Sequence, residues 1–271
     1  MISSPDTVLP TSSSLEFFTK DGLPLFRFSH LSKFAELEHA VFTRLGGVSK
    51  PPFDSLNVSY DTGDDASDIR ENLRRVRELS DSPFLIYARQ SHSSKIVSLD
   101  KYPSVNPTPH YPLQGVDGFI TRLSGLLMMI KVADCQAIFL YDPNRRVAAI
   151  VHSGWRGSVQ NIIGNAVHQM VAHFDCKPQD VISAIGPSLG PCCAEFRHWH
   201  RELPTSFSRF RLSENHFDFW AISRKQLQDA GVLRENIEVA ELCTRCHPQI
   251  FYSYRGERQT GRFAATIGIN V

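Results

Sequence analysis

A chain of 271 residues, 42% hydrophobic and 21% charged, has an ordinary globular composition, long enough for one large domain or two small ones. A formal net charge of +1 excludes the basic footprint of a nucleic-acid binder and the strong charge of a membrane-surface protein. The longest apolar run, GLLMMIKVA, is broken by Lys131 and followed by Asp134, so it falls short of the roughly 18 residues that a membrane helix needs.

The N-terminal stretch MISSPDTVLPTSSSLEFF lacks the positive start and long apolar region of a secretory signal, so a cytoplasmic location is expected. Residues 1–14 are polar and rich in Ser, Thr and Pro, which reads as a loose tail ahead of a single domain over 15–271. The six cysteines then read as thiols in a reducing compartment.

Further along, ASDIRENLRRVREL places Ile69, Leu73, Val76 and Leu79 at helical spacing, with Ser67 or Asp68 available as a cap. FLIYA reads as a strand, and the proline-rich 102–115 as a loop. GFIT, LLMMIKVAD, QAIFLYD and RVAAIVH read as successive strands. A long amphipathic helix is expected from Ser158 to about Phe174, its face built from residues such as Ile162, Val167 and Met170. VISAIGPSLGPCC is a strand entering a Gly/Pro loop; 197–220 gives no clear pattern; AISRKQLQDAGV is a helix ending near Gly231. QIFYSYRG and RFAATIGINV read as two final strands. The mixture implies an α+β (mixed α/β) fold, a layered β-sheet core with flanking helices.

The segment ADCQAIFLYDPNRRVAAIVHSGWRG carries the most chemistry. A four-residue turn over Asp142–Arg145 places Cys135 directly opposite His152, with β-carbons about 4.5–5.5 Å apart, close enough to share a metal. His92, in RQSHSS where an apolar strand turns polar, is the best third ligand. One Cys and two His suit a zinc ion with a fourth position left for water. The same set suits copper, with Met128 or Met129 as a long axial ligand. Trp155 and Arg156 follow His152 at an expected helix start, where backbone amides and the guanidinium favour an anion.

Several motifs in order now resemble the YfiH/laccase-domain family, also called polyphenol oxidoreductase laccases or peptidoglycan editing factors. They are FTRLGGVSKPPFDSLNVS (42–59), GDD with ENLRRV, RQSHS, VDGFIT (116–121), ADC (133–135), HSGWRG (152–157), AIGPSLGPCCAEF (184–196) and FYSYRG with GR (251–262). The resemblance implies a single-domain mixed α/β fold and a zinc ion on His92, Cys135 and His152. It further implies phosphorolysis of adenosine, inosine and methylthioadenosine, with deamination of adenosine. The older laccase label implies copper and polyphenol oxidation; a non-enzymatic or editing role in cell-wall metabolism is the remaining alternative. Ser91, Ala194 and Gly256 depart from the family pattern, and the last leaves one anion contact to Arg255, Arg258 or Arg262.

On this reading the partners are purine nucleosides and phosphate, with neither nucleic acid nor membrane, and the protein is a monomer or small homo-oligomer. Arg44 is the expected phosphate clamp, with Arg156 and Arg255 as further contacts. Asn57 is expected to hydrogen-bond ribose or base, Trp155 to stack on the purine, and Asp134 to shuttle a proton. CTRCH (243–247) spells a haem-attachment motif, but export is not expected, and a zinc on Cys243 and Cys246 needs two more ligands. Cys192 and Cys193 are expected to pack. The single HWH (198–200) is too few histidines for a multicopper oxidase, and GGVS lacks the lysine of a nucleotide P-loop.

Overall fold

LLMMIKV and QAIFLYD are buried at every residue, as strands must be when both faces of their sheet are covered. The computed structural model describes residues 14–80, 82–102 and 113–271. In chain order its strands are β1 (Leu15–Lys20), β2 (Leu23–Phe28), β3 (Leu37–Phe42), β4 (Phe84–Ile86), β5 (Ala88–Arg89), β6 (Ile96–Leu99) and β7 (Leu113–Gln114). Then follow β8 (Gly118–Thr121), β9 (Leu126–Val132), β10 (Gln136–Asp142), β11 (Val147–Ser153), β12 (Ile182–Ile185), β13 (Ile237–Val239) and β14 (Phe263–Ile269). The helices are α1 (Ala66–Glu78), α2 (Trp155–Val159), α3 (Ile162–Phe174), α4 (Trp199–Glu202), α5 (Phe219–Asp229) and α6 (Tyr254–Glu257).

Two six-stranded sheets, ordered β1-β2-β3-β14-β9-β4 and β13-β12-β10-β11-β8-β6, carry the fold, and β5 pairs with β7. Side chains alternate faces along a strand, and this sorts each central strand between two cores. Met128 and Ile130 of β9, Phe139 and Tyr141 of β10, and Ile150 of β11 share the core between the sheets. Their neighbours Leu127 and Met129 pack outward with Ile69, Leu73 and Val76 of α1. Ile138, Leu140, Ala149 and Val151 pack outward with α3 and with Leu227 of α5. The result is a mixed α+β stack, helix on sheet on sheet on helix.

Several expectations change. Asp65 caps α1, accepting from the Ser67 amide at 2.7 Å, because it stands extended one residue before the helix. The expected single helix over 158–174 is two. Asn161 adopts φ 54°, ending α2 and capping α3 through the Gly164 amide. Val159, which continues the apolar spacing across the break, is exposed, and the face that packs on the core is that of α3 alone. QIFYSYRG is no strand: Ile250, Phe251 and Tyr252 fill the inter-sheet core from a bend that leads into α6.

Of the expected loop 102–115, residues 103–112 lie outside the described residues, and Leu113–Gln114 forms β7. The expected tail also lies outside them, except Ser14, whose hydroxyl donates to the Val239 carbonyl. The β10–β11 turn spans Pro143–Arg146, with Asp142 opposite Val147, so His152 faces Ala137 and not Cys135. Arg146 takes φ 51°, which moves the register by two residues. A shift of two keeps every side chain on its own face, and Cys135 stays beside His152. Among the described residues, no helix is long and apolar enough to cross a membrane.

Candidate metal centre

His152 is the penultimate residue of β11, Cys135 immediately precedes β10, and His92 follows the short strand β5. These three distant parts of the chain converge, and one ligand atom from each lies within 4.8 Å of the others. Cys135 Sγ is 3.8 Å from His92 Nε2, and the two imidazoles meet edge to face with centroids 4.9 Å apart. His92 holds φ 59° and Asp134 φ 84°, left-handed conformations that are uncommon outside glycine.

Asp117, which the sequence reading passed over, holds the arrangement together. Its carboxylate is wholly buried. Oδ1 accepts from the His92 amide at 3.0 Å and from His152 Nδ1–H at 2.8 Å. Oδ2 accepts from the Ser91 and Ser93 amides at 3.1 and 2.8 Å and from both hydroxyls. One carboxylate therefore shapes the His92 loop and fixes the His152 tautomer, leaving Nε2 for a metal, as metal-ligating histidines are commonly oriented.

Burial opposes charge here, but mutual attraction wins. Burial alone would raise the Cys135 thiol; the neighbouring imidazoles of His152 and His92 bring it down to about 6. His152, which burial alone would lower, is lifted to about 9 by the Cys135 thiolate and Asp117. Burial raises Asp117 in the same way, and the hydrogen bonds from His152 and Ser93 hold it well below the usual carboxylate range.

Gly154 completes the cradle. A β-carbon there would sit 2.9 Å from both Cys135 Sγ and His92 Cδ2, so glycine is required for the ligands to meet. One thiolate and two imidazoles, with a carboxylate behind one of them, fit a resident divalent metal.

The centre opens into a cavity of about 560 Å³, within the usual size of a small-molecule site. Asp134, Lys131, Trp155, Arg156, Arg255 and Arg262 line it. Trp155 stands edge-on to Phe196 at 6.4 Å, and the Arg156 guanidinium lies 4.8 Å from the Trp155 ring. Both Asp134 oxygens are engaged at 2.6 Å, one by the Thr244 hydroxyl and one by the Arg255 amide. Burial pushes Lys131 down to about 7, against the pull of Asp61 3.8 Å away.

Other expected residues lie elsewhere. Arg44 does not line the cavity. It is buried over Tyr252, donating to the Asp54 and Pro248 carbonyls and pairing with Glu257. Asn57 is also buried away from the cavity, bonded to Ser59, Thr62, Asp64 and the Arg262 amide. Arg258, His198 and His200 are not among the lining residues, and Met128 and Met129 are fully buried in β9. The helix following His152 has only five residues, so no anion site is built on its end. Cys192 is exposed, which does not suit a packed cysteine.

Residues 38–270 match the family described as multi-copper polyphenol oxidoreductase laccase. The chain is 32% identical over 249 residues to a protein named purine nucleoside phosphorylase YlmD from Geobacillus stearothermophilus, covering 87% of this chain and 91% of that one. It is 31% identical over 250 residues to a purine nucleoside phosphorylase from Bacteroides thetaiotaomicron, covering 88% and 92%. The crystal structure of YlmD from Geobacillus stearothermophilus matches with a TM-score of 0.84 at 30% identity, over 94% of this chain and 99% of that one. YfiH from Bacillus licheniformis gives the same TM-score and coverage at 26% identity. With its fold and most of its length in common with these proteins, the chain belongs to the multi-copper polyphenol oxidoreductase laccase family.

Proposed function

We propose that the chain is a zinc-dependent purine nucleoside phosphorylase that also deaminates adenosine. The observation that carries this reading is a Cys-His-His centre opening into a cavity lined by four cationic side chains, Lys131, Arg156, Arg255 and Arg262, and by aromatic rings. The names of the relatives support the same reaction. Zinc fits the donor set, and no methionine is among the residues lining the cavity, which speaks against the axial ligand of a blue-copper centre.

His92, Cys135 and His152 would hold the ion, and Asp117 would orient two of them. When bound, such an ion would supply Lewis acidity and would make water a better nucleophile for deamination. Trp155, Phe196 and Tyr254 offer faces and edges for a purine, while the cations hold phosphate through charge-assisted hydrogen bonds. In phosphorolysis a phosphate oxygen forms a bond to the ribose C1′, the bond from C1′ to the base nitrogen breaks, and the base leaves with its electron pair. Lys131, held near neutrality, can give up or retain a proton at Nζ as that charge develops. Asp134, with both oxygens occupied, positions the Thr244 and Arg255 segments instead of shuttling a proton.

Purified protein of known zinc content should release hypoxanthine from inosine only when phosphate is present, and should convert adenosine to inosine and ammonia without it. Failure to release base under any condition would overturn the phosphorylase reading. Oxidation of a phenolic substrate by copper-loaded protein alone would favour the laccase reading.

A further inference from the structure

Five of the six cysteines serve no part of the chemistry above, and four of these meet. Cys192 and Cys193 sit in the loop after β12, and Cys243 and Cys246 in the loop after β13. Their four Sγ atoms all lie within 4.8 Å of one another. Cys246 Sγ is 3.6 Å from the sulfurs of both Cys192 and Cys193. We propose that Cys192, Cys193, Cys243 and Cys246 form a second, structural zinc site that fastens the loop lining the cavity to the loop that holds Asp134.

Geometry and chemistry both favour a metal. Zinc–sulfur bonds of about 2.3 Å set the edge of a tetrahedral tetrathiolate at about 3.8 Å; two of the sulfur pairs already stand near that spacing. Cys243 and Cys246 follow the Cys-x-x-Cys spacing, closed by a turn in which the Cys246 amide donates to the Cys243 carbonyl at 3.2 Å. The Gly190 amide donates to Cys243 Sγ at 3.3 Å, a contact that favours a thiolate. The four sulfurs already make a full tetrahedral set, and His247, whose Nδ1 stands 2.8 Å from the Cys243 carbonyl oxygen, is not part of the cluster. Cys192 and Cys246 are exposed, which gives an ion a way in.

The site lies where the fold needs a fastener. Leu189, Ala194 and Phe196 line the cavity from the first loop, which belongs to neither sheet. The second loop supplies Thr244, which grips Asp134 at 2.6 Å. Between the loops run an isolated bridge, Ser188 to Cys243, and the backbone bonds beside it. A metal across the two cysteine pairs would link them far more firmly, as structural zinc does where regular structure is sparse.

The test is metal stoichiometry on protein purified with reductant and without chelator. Wild-type protein should carry two zinc ions per chain, Cys246→Ser one, and Cys135→Ala one. Cobalt-loaded Cys135→Ala protein, which lacks the sulfur of the first centre, should keep an intense thiolate-to-cobalt absorption. That spectrum decides the matter even where Cys246→Ser does not fold. One zinc in both the wild type and Cys246→Ser, iron or copper in place of the second zinc, disulfides among these four cysteines, or no thiolate absorption in cobalt-loaded Cys135→Ala would each overturn the proposal. None of these readouts depends on nucleoside turnover.

Discussion

Asp117→Asn removes no volume, yet it should dismantle the metal centre. Six donors converge on the native carboxylate: the amides of Ser91, His92 and Ser93, the hydroxyls of Ser91 and Ser93, and His152 Nδ1. Asparagine keeps one acceptor oxygen and puts an NH2 group where the other stood. With the amide nitrogen at the Oδ2 position, two backbone N–H groups of this part-buried site face a donor; each orphan costs about 1–3 kcal/mol, so metal-free protein should lose about 2–6 kcal/mol of stability. With the nitrogen at the Oδ1 position, His152 must turn its unprotonated atom toward residue 117. Its proton then sits on Nε2, where a metal ligand is needed. Either way zinc affinity should fall about 10–100-fold. Urea unfolding of the metal-free protein and zinc competition against a chromophoric chelator measure the two effects. Stability within about 0.5 kcal/mol of wild type, together with zinc affinity within about twofold, would refute the role assigned to Asp117.

Gly154→Ala should drive a methyl group against Cys135 and His92, lowering metal content and turnover together, as read by elemental analysis on folded protein. Arg44→Met should cost about 2–4 kcal/mol through lost buried hydrogen bonds but leave the KM for phosphate unchanged. Arg156→Met should raise that KM about 10-fold or more while barely moving the urea midpoint, since a charge-assisted contact is worth about 1.5–3 kcal/mol. His39 gives a pH signature. Burial, with Arg27 nearby, pushes it down to about 3, and its Nε2 accepts from the Phe28 amide at 2.8 Å. Its folded pKa lies below its unfolded value, so its contribution is complete above about pH 6.5 and is lost as pH falls toward 3. Over that window the wild type should lose stability at up to about 1 kcal/mol per pH unit relative to His39→Gln. Parallel pH curves for the two proteins would contradict this.

The central strands β8–β12 and β14 were legible because they are short, mainly apolar runs bounded by polar or turn residues, with Lys131 the one charge inside β9. The ligand set was legible because His92, Cys135 and His152 each stand where an apolar strand begins or ends. The register was missed by two residues, since a left-handed Arg146 cannot be read from residue type. The break at Asn161 was hidden because Val159 continues the apolar spacing of α3 in sequence although its side chain is exposed. Arg44 looked like a clamp because an arginine beside a glycine pair suits a phosphate; its carbonyl and carboxylate partners come from 54, 248 and 257, invisible to local reading. Lys131 was the opposite case. The residue that broke an apolar run did so because it faces the cavity. Asp117 offered one signal, a carboxylate between Val116 and Gly118 at the start of a buried strand, and the four cysteines offered only two distant pairs.

Anomalous diffraction at the zinc edge, from crystals of protein grown without chelator, tests the central claim most directly. The account predicts a peak bonded to Cys135 Sγ at about 2.3 Å and to one nitrogen each of His92 and His152 at about 2.0–2.1 Å, on the side facing the cavity. Density with no anomalous peak among these three residues, or imidazoles turned away from the sulfur, would contradict it.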